Sequence, residues 1–446
     1  MKTKQRVLTP ILILAALLIA SPALAKPLVG CDLSLDRTIL PAGQSQKTVI
    51  KVNLDVPVIP VDVARPPVNL TLVLDRSGSM SGNKIARARE AAIAALRSLG
   101  PQDLFSMVIY DHNVQTLVPP QSAANIEWIE PRIRSINAGG NTALYGAVSQ
   151  GAAEIRKNLY GQYVHRIVLL SDGLANVGPS SPRDLARLGA ALIKEGISVT
   201  TIGIGTDFNE DLMTQLADRS DGNHYFVESS RDLPRIFAAE LGDVLSVAAR
   251  KVIIEIDCPD GVRPIRIIGR EGRIRDKRVE IHLNQLYGGQ EKYVLVEVMV
   301  EPGREDEMQK IADARCSYEN ALTNEQESSV AVAQVRFSKR PEDVRRSASK
   351  PVQKALIENE MAEARDKALD LYNAGRKDEA VQQLKEKGAE ISSRGQALGF
   401  ADIAEEAEGA LQDDADIFAA PAPMAPAEKK SIRSESYKVR KQQKDY

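Results

Sequence analysis

The chain has 446 residues, enough for two or three domains, and its 43% hydrophobic and 26% charged content is ordinary for a globular protein. Aromatic residues make up only 4%, which argues against a surface that stacks nucleic-acid bases. A formal net charge of −2 gives no general attraction for polyanions or anionic lipid.

Residues 1–25 read as a secretory signal. Lys2, Lys4 and Arg6 form a basic end, residues 7–20 an apolar core broken by Pro10, and Ala23-Leu24-Ala25 an A-x-A site, with cleavage expected before Lys26. The core is too short to span a bilayer comfortably, and no later run of about 18 apolar residues exists. The expected location is therefore secreted or periplasmic. Cys31, Cys258 and Cys316 are an odd number for an oxidising compartment, and spacing does not fix their pairing. Leu28-Val29-Gly30-Cys31 resembles a lipobox, which would put a lipid anchor on Cys31 and leave Cys258 and Cys316 to pair. Lys26 and Pro27 stand between it and the apolar core, which favours ordinary cleavage.

Residues 26–65 form an N-terminal β segment, with apolar and polar residues alternating over 48–56. Residues 66–245 alternate strand and helix. Strands are expected at 69–74, 103–110, 114–118, 165–170, 198–204 and 225–227. Helices are expected at 83–99, 123–136, 143–159, 182–195, 210–219 and 232–245, with Pro131 interrupting the second. The alternation predicts a parallel sheet covered on both faces, with 114–118 as an antiparallel edge. Residues 246–340 return to strand, clearest at 251–257, 292–300 and 330–337. With 26–65 they would complete one sandwich. The fold class is α/β: a doubly wound, mostly parallel, Rossmann-like sheet inserted in or beside an antiparallel β-sandwich, followed by a C-terminal helical hairpin. That hairpin is placed at 351–412, where 362–380 resembles the middle of a tetratricopeptide helix pair with Gly375 at its turn. One such unit is too few for a solenoid, so a single hairpin or a three-helix packing is expected there. Residues 413–446 read as an Ala/Pro/Asp linker and a disordered, basic tail.

The chemistry concentrates at Asp75-Arg76-Ser77-Gly78-Ser79-Met80, between an apolar strand and a helix. One carboxylate and two hydroxyls alternate there, and Gly78 frees the backbone to turn. Oxygen-only ligation suits Mg²⁺, Mn²⁺ or Ca²⁺ rather than Zn²⁺ or Cu²⁺. Helix capping by Asp75 and Ser77 is the bland alternative. Thr142, after Gly139-Gly140-Asn141, and Asp172, after the apolar run 167–170, add a hydroxyl and a second carboxylate. All three places lie where a strand or loop meets a helix, which fits one crevice at the carboxyl ends of a parallel sheet.

Over residues 66–245 this pattern resembles the von Willebrand factor type A (vWA) domain and its metal-ion-dependent adhesion site: D-x-S-x-S, then a Thr, then an Asp. The resemblance implies metal ligation by Asp75, Ser77, Ser79, Thr142 and Asp172, with Ser77 and Ser79 direct. It also implies an exchangeable place for a partner protein's Asp or Glu. It further implies that the helix at 232–245 could shift with coordination. The layout is loosely similar to inter-α-trypsin inhibitor heavy chains and chloride-channel regulators.

An enzyme is not expected. His112, His165, His224 and His282 stand in no metal or triad motif, and no dinucleotide or phosphate loop is complete. The expected function is metal-dependent, adhesion-type protein binding. The alternative is a structural envelope assembly or scaffold component whose metal only stabilises the fold.

Overall fold

The computed structural model describes residues 27–60, 63–159 and 162–443. The signal segment, its cleavage site and the last three residues lie outside these. Three strands come first: β1 (Gly30–Leu35), β2 (Ile39–Pro41) and β3 (Gln46–Asp55). The α/β unit follows with β4 (Val68–Asp75), α1 (Asn83–Ser98), β5 (Leu104–Tyr110), β6 (Val114–Ser122), α2 (Ile126–Arg134) and α3 (Leu144–Arg156). It continues with β7 (Val164–Ser171), α4 (Pro182–Leu192), β8 (Ile197–Ile204), α5 (Glu210–Arg219), β9 (His224–Val227) and α6 (Leu233–Leu245).

Its sheet has the order β6-β5-β4-β7-β8-β9, parallel except for β6. Every residue of β4, β7 and β8 is buried, as expected for strands covered on both faces. One face packs α1, α2 and α6, the other α3, α4 and α5. The chain leaves β4 toward β5 on one side and reaches β7 on the other. This puts the topological switch point at the carboxyl end of β4. Residues 119–122 extend β6 beyond the expected strand, and α2 starts at Ile126 rather than at 123. Pro119 and Pro120 are tolerated there because an edge strand need not donate from every amide. Pro131 sits inside the short α2 helix, so only one hydrogen bond is lost.

Seven strands follow: β10 (Val247–Asp257), β11 (Val262–Ile268), β12 (Arg273–Arg275), β13 (Arg278–Tyr287), β14 (Glu291–Val300), β15 (Met308–Asn320) and β16 (Gln326–Ser338). They form two sheets with the first three strands, in the orders β1-β3-β14-β11 and β12-β13-β10-β15-β16-β2. β3 pairs with β14 over their full lengths, so residues on either side of the α/β unit close one sandwich around a shared apolar core. Cys31, Cys258 and Cys316 all belong to this module as free thiols.

The C-terminal region departs from expectation. It consists of α7 (Pro341–Arg346), α8 (Lys350–Asn373), α9 (Lys377–Leu398), α10 (Ala401–Ala419) and α11 (Pro426–Lys441). Gly375 does turn the chain between α8 and α9, with φ of 77°. Of the two expected arrangements for 351–412, hairpin or three-helix packing, the structure has three helices, α8, α9 and α10, around one apolar core, and the segment read as linker and disordered tail is mostly helix. The physical reason is charge met at long range. Arg433 of α11 pairs with Asp366 and Asp370 of α8 and with Asp211 of α5. Lys430 pairs with Glu210, and Tyr437, fully buried, donates to the Gly222 carbonyl at 2.6 Å. These partners offset the ordering entropy that tail composition alone would leave unopposed.

His224 of β9 lies under α11, its ring edge-on to Tyr437. Its amide donates to the Gln443 side chain, which donates back to its carbonyl. Burial, with Lys430, Arg433 and Lys438 nearby, lowers the His224 pKa to about 3. Above about pH 6.5 the ring is neutral in both folded and unfolded chains. Below that, only the unfolded chain takes up the proton until pH nears 3, so stability falls with pH across this window. His165, lowered to about 4 chiefly by burial, adds in the same direction. Melting temperature should therefore drop between pH 6.5 and 4, and His224→Gln should flatten part of the drop. A slope identical in the variant would show that His224 does not contribute.

Candidate metal centre

The five expected ligands come from three places that the sheet brings together. Asp75 is the last residue of β4, and Asp172 immediately follows the neighbouring β7. The turn after β4 is stitched to the loop before α3: Gly78 N donates to Gly140 O at 3.0 Å, and Gly139 N to Arg76 O at 2.6 Å. That seam carries Thr142 to the crevice. Thr142 is held in turn by Asn176, whose side chain accepts its amide at 2.9 Å.

The hydroxyls and carboxylates meet. Ser77 Oγ lies 3.1 Å from Ser79 Oγ, and Ser79 Oγ donates to Asp172 Oδ1 at 2.7 Å. A methyl group on Gly173 would lie 3.3 Å from Thr142 Oγ1, 3.4 Å from Ser79 Oγ and 3.9 Å from Ser77 Oγ. Three hydroxyl oxygens thus face one small space that the absence of a side chain on Gly173 leaves open. Asp75 and Asp172 are 0% exposed, Ser77 2% and Thr142 3%, while Ser79 is exposed at the mouth.

Capping does not explain these residues. The N-cap of α1 is Gly82, with no side-chain cap, and that of α3 is Ala143, also without one. Ser77 precedes a single 3₁₀ turn and makes no side-chain cap there. The serine hydroxyls are left for one another and for the two carboxylates.

Asp75 accepts from Ser77 N at 2.8 Å and from Ser171 Oγ at 2.7 Å. Burial nevertheless raises its pKa to about 6, with the charge of Asp172 adding to the rise and the hydrogen bonds opposing it. A buried acid pair is costly without a nearby cation. The donor set fits a hard divalent ion: two carboxylates and three neutral oxygens, with no nitrogen or sulfur. Among the described residues no three His, Cys, Asp or Glu side chains gather in a metal-holding group, so a site here depends on its hydroxyls.

Three contributors escaped the sequence reading. Ser171 holds the far oxygen of Asp75, and Asn176 holds Thr142; both are ordinary polar residues in loops or strand ends and give no local signal. Lys84, the second residue of α1, places Nζ 2.5 Å from Asp172 Oδ2. Its signal was available, because a cation in a helix's first turn opposes the helix dipole.

The fold and crevice define a class: a doubly wound α/β domain with a hydroxyl-and-carboxylate seat at its switch point. Residues 69–239 match the model of the von Willebrand factor type A domain, and the chain carries such a domain. It is 27% identical over 222 residues to the uncharacterized protein YfbK of Escherichia coli, covering 49% of this chain and 38% of that protein. It is 30% identical over 166 residues to human inter-alpha-trypsin inhibitor heavy chain H4, covering 35% of this chain and 18% of that one. The chain thus spans less than half the length of these curated relatives. The whole architecture is similar to a solved von Willebrand factor type A protein from Catenulispora acidiphila, with TM-score 0.70, 17% identity, and coverage of 91% and 96% of the two chains. It is also similar to the ArnB paralog VWA2 from Sulfolobus acidocaldarius, with TM-score 0.63, 19% identity, and coverage of 93% and 98%. At these identities the likeness shows the fold.

Proposed function

We propose that this protein is an exported, metal-dependent binding module, secreted or periplasmic, that captures an acidic side chain of a protein partner. Asp75, Ser77, Ser79, Thr142 and Asp172 would hold Mg²⁺, or Mn²⁺ or Ca²⁺ in its place. The bound ion would supply a Lewis-acid position for the partner's Asp or Glu. The carrying observation is the convergence of three hydroxyls on the space beside Gly173, walled by two buried carboxylates. The chain's own groups do the rest. Asp75 and Asp172 neutralise the ion, the hydroxyls orient without overcharging it, and Ser79 at the mouth leaves the partner access. The proposed role is binding: the donor set supplies a seat for an ion and an approach for a partner's carboxylate.

Export by ordinary cleavage before Lys26 suits the sandwich better than lipidation at Cys31. Leu28 N donates to Glu327 and Val29 N to Tyr318 Oη, each at 2.8 Å, and Ser329 Oγ donates to Val29 O at 2.6 Å. A mature chain beginning at Cys31 would lose all three bonds. Among the described residues no helix is long and apolar enough to cross a membrane.

The immobilised protein should retain partner proteins from an envelope extract in Mg²⁺ and release them in EDTA. Capture that survives EDTA while the melting temperature falls would instead favour the scaffold reading, in which metal serves only the fold.

A further inference from the structure

We propose that Lys84 is a tethered cation of the crevice, holding Asp172 in the metal-free protein and competing with a divalent ion for that carboxylate. The inference rests on the metal-binding reading above and adds a residue to it.

The position of Lys84 makes little sense as a helix surface residue. It lies in the first turn of α1, where exposed amides already carry partial positive charge and where acids, not cations, are favoured. No acid occupies that turn, and its Gly82 cap contributes no side chain. The offset comes from across the crevice, 88 residues away in sequence, where Nζ meets Asp172 Oδ2 at 2.5 Å. That carboxylate is fully buried while the Lys84 side chain is 28% exposed, so the stem runs inward from solvent to a buried acid.

The two acids of the seat are satisfied differently. Asp75 is met by neutral groups: Ser77 N, Ser171 Oγ and the Ser77 and Tyr110 hydroxyls. Asp172 takes the Ser79 hydroxyl on Oδ1 and the Lys84 ammonium on Oδ2. One acid of the pair is thus neutralised from within the chain. A divalent ion drawing on Asp172 must share it with a like charge or displace that charge along its flexible, part-exposed stem. Lys84 would then lower metal affinity and preserve the empty site, which makes occupancy responsive to metal concentration.

The test uses full-length mature protein, with Mn²⁺ as the probe, and compares wild type with Lys84→Met, Lys84→Gln and Lys84→Arg. Mn²⁺ binding is read by electron paramagnetic resonance, and melting is followed in EDTA. Lys84→Met and Lys84→Gln should bind Mn²⁺ about tenfold more tightly, the scale set by removing one close like charge. Both should melt lower than wild type in EDTA, while Lys84→Arg stays near wild type in both measurements. Wild type that binds Mn²⁺ alongside neutral variants of equal or weaker affinity would overturn the competition and leave the metal reading standing. Mn²⁺ binding by neither would overturn both. Binding by the neutral variants alone would support the competition while removing metal dependence from the native chain.

Discussion

Arg166→Met should destabilise the protein by about 3–5 kcal/mol, the range for breaking one side of a buried ion pair. Arg166 projects from β7 and is 0% exposed. Its guanidinium lies 3.2 Å from Glu240 of α6 and donates to Thr200 Oγ1 at 3.0 Å, Gln285 Oε1 at 2.7 Å and Tyr287 Oη at 2.5 Å. The first two partners belong to the vWA domain, the last two to β13 of the sandwich. Glu240, 1% exposed, also accepts from Thr200, Asn223 and Tyr225. Removing the arginine strands that carboxylate without its counter-charge, while methionine fills only part of the space. Replacing both charges, as Arg166→Met with Glu240→Gln, should recover much of the loss, because the stranded charge rather than the lost attraction dominates. Denaturant unfolding measures both. A single-variant loss below about 1 kcal/mol would mean that solvent or rearrangement rescues Glu240. The same network anchors α6, so any shift of that helix on metal binding has to break or carry these bonds with it. The double variant is therefore also the one in which such a shift would be easiest to detect.

Asp75→Asn should weaken Mg²⁺ or Mn²⁺ binding by about 100-fold or more, since even outer partners of metal ligands cost about 10–100-fold. Partner capture should be lost with it. Asparagine can accept from Ser77 N and donate to Ser171 Oγ, so these two hydrogen bonds of Asp75 survive while the charge goes. The metal-free protein should not melt lower at neutral pH. The pKa of Asp75 is raised to about 6 chiefly by burial, so its ionised form is a cost that the folded chain bears. What disappears is the stabilisation by ligand, about 2.7 kcal/mol when metal is at 100 times its dissociation constant. Melting curves with Mg²⁺ and with EDTA measure both effects. A metal-induced rise as large in the variant as in wild type would place the ion elsewhere.

Much of the candidate site was legible because its parts are short-range. Alternation of Asp75, Ser77 and Ser79 in a turn after an apolar strand needs no knowledge of distant contacts, and Asp172 ends a second apolar strand in the same way. The wrapped order of the α/β unit then places both strand ends together. Lys84 was less visible because its partner lies on another strand, although its poor fit to a helix start was there to be seen. Ser171 and Asn176 carried no such mark. The C-terminal helix was misread as a disordered tail because composition was weighed without its partners. Lys430 finds Glu210 across 220 residues, and Arg433 finds three acids on two helices.

By itself the sequence determined the strand and helix rhythm of residues 66–245, the burial of the central strands, and the oxygen-bearing turn at their ends. These follow from periodicity and local chain geometry, which act within a few residues. Tertiary structure alone decided that β3 would pair with β14 across the inserted domain, that Arg166 would bridge two modules, and that α11 would fold onto acids far upstream. Those outcomes depend on burying charge and apolar surface against particular distant partners, and the energy of that burial has no local imprint.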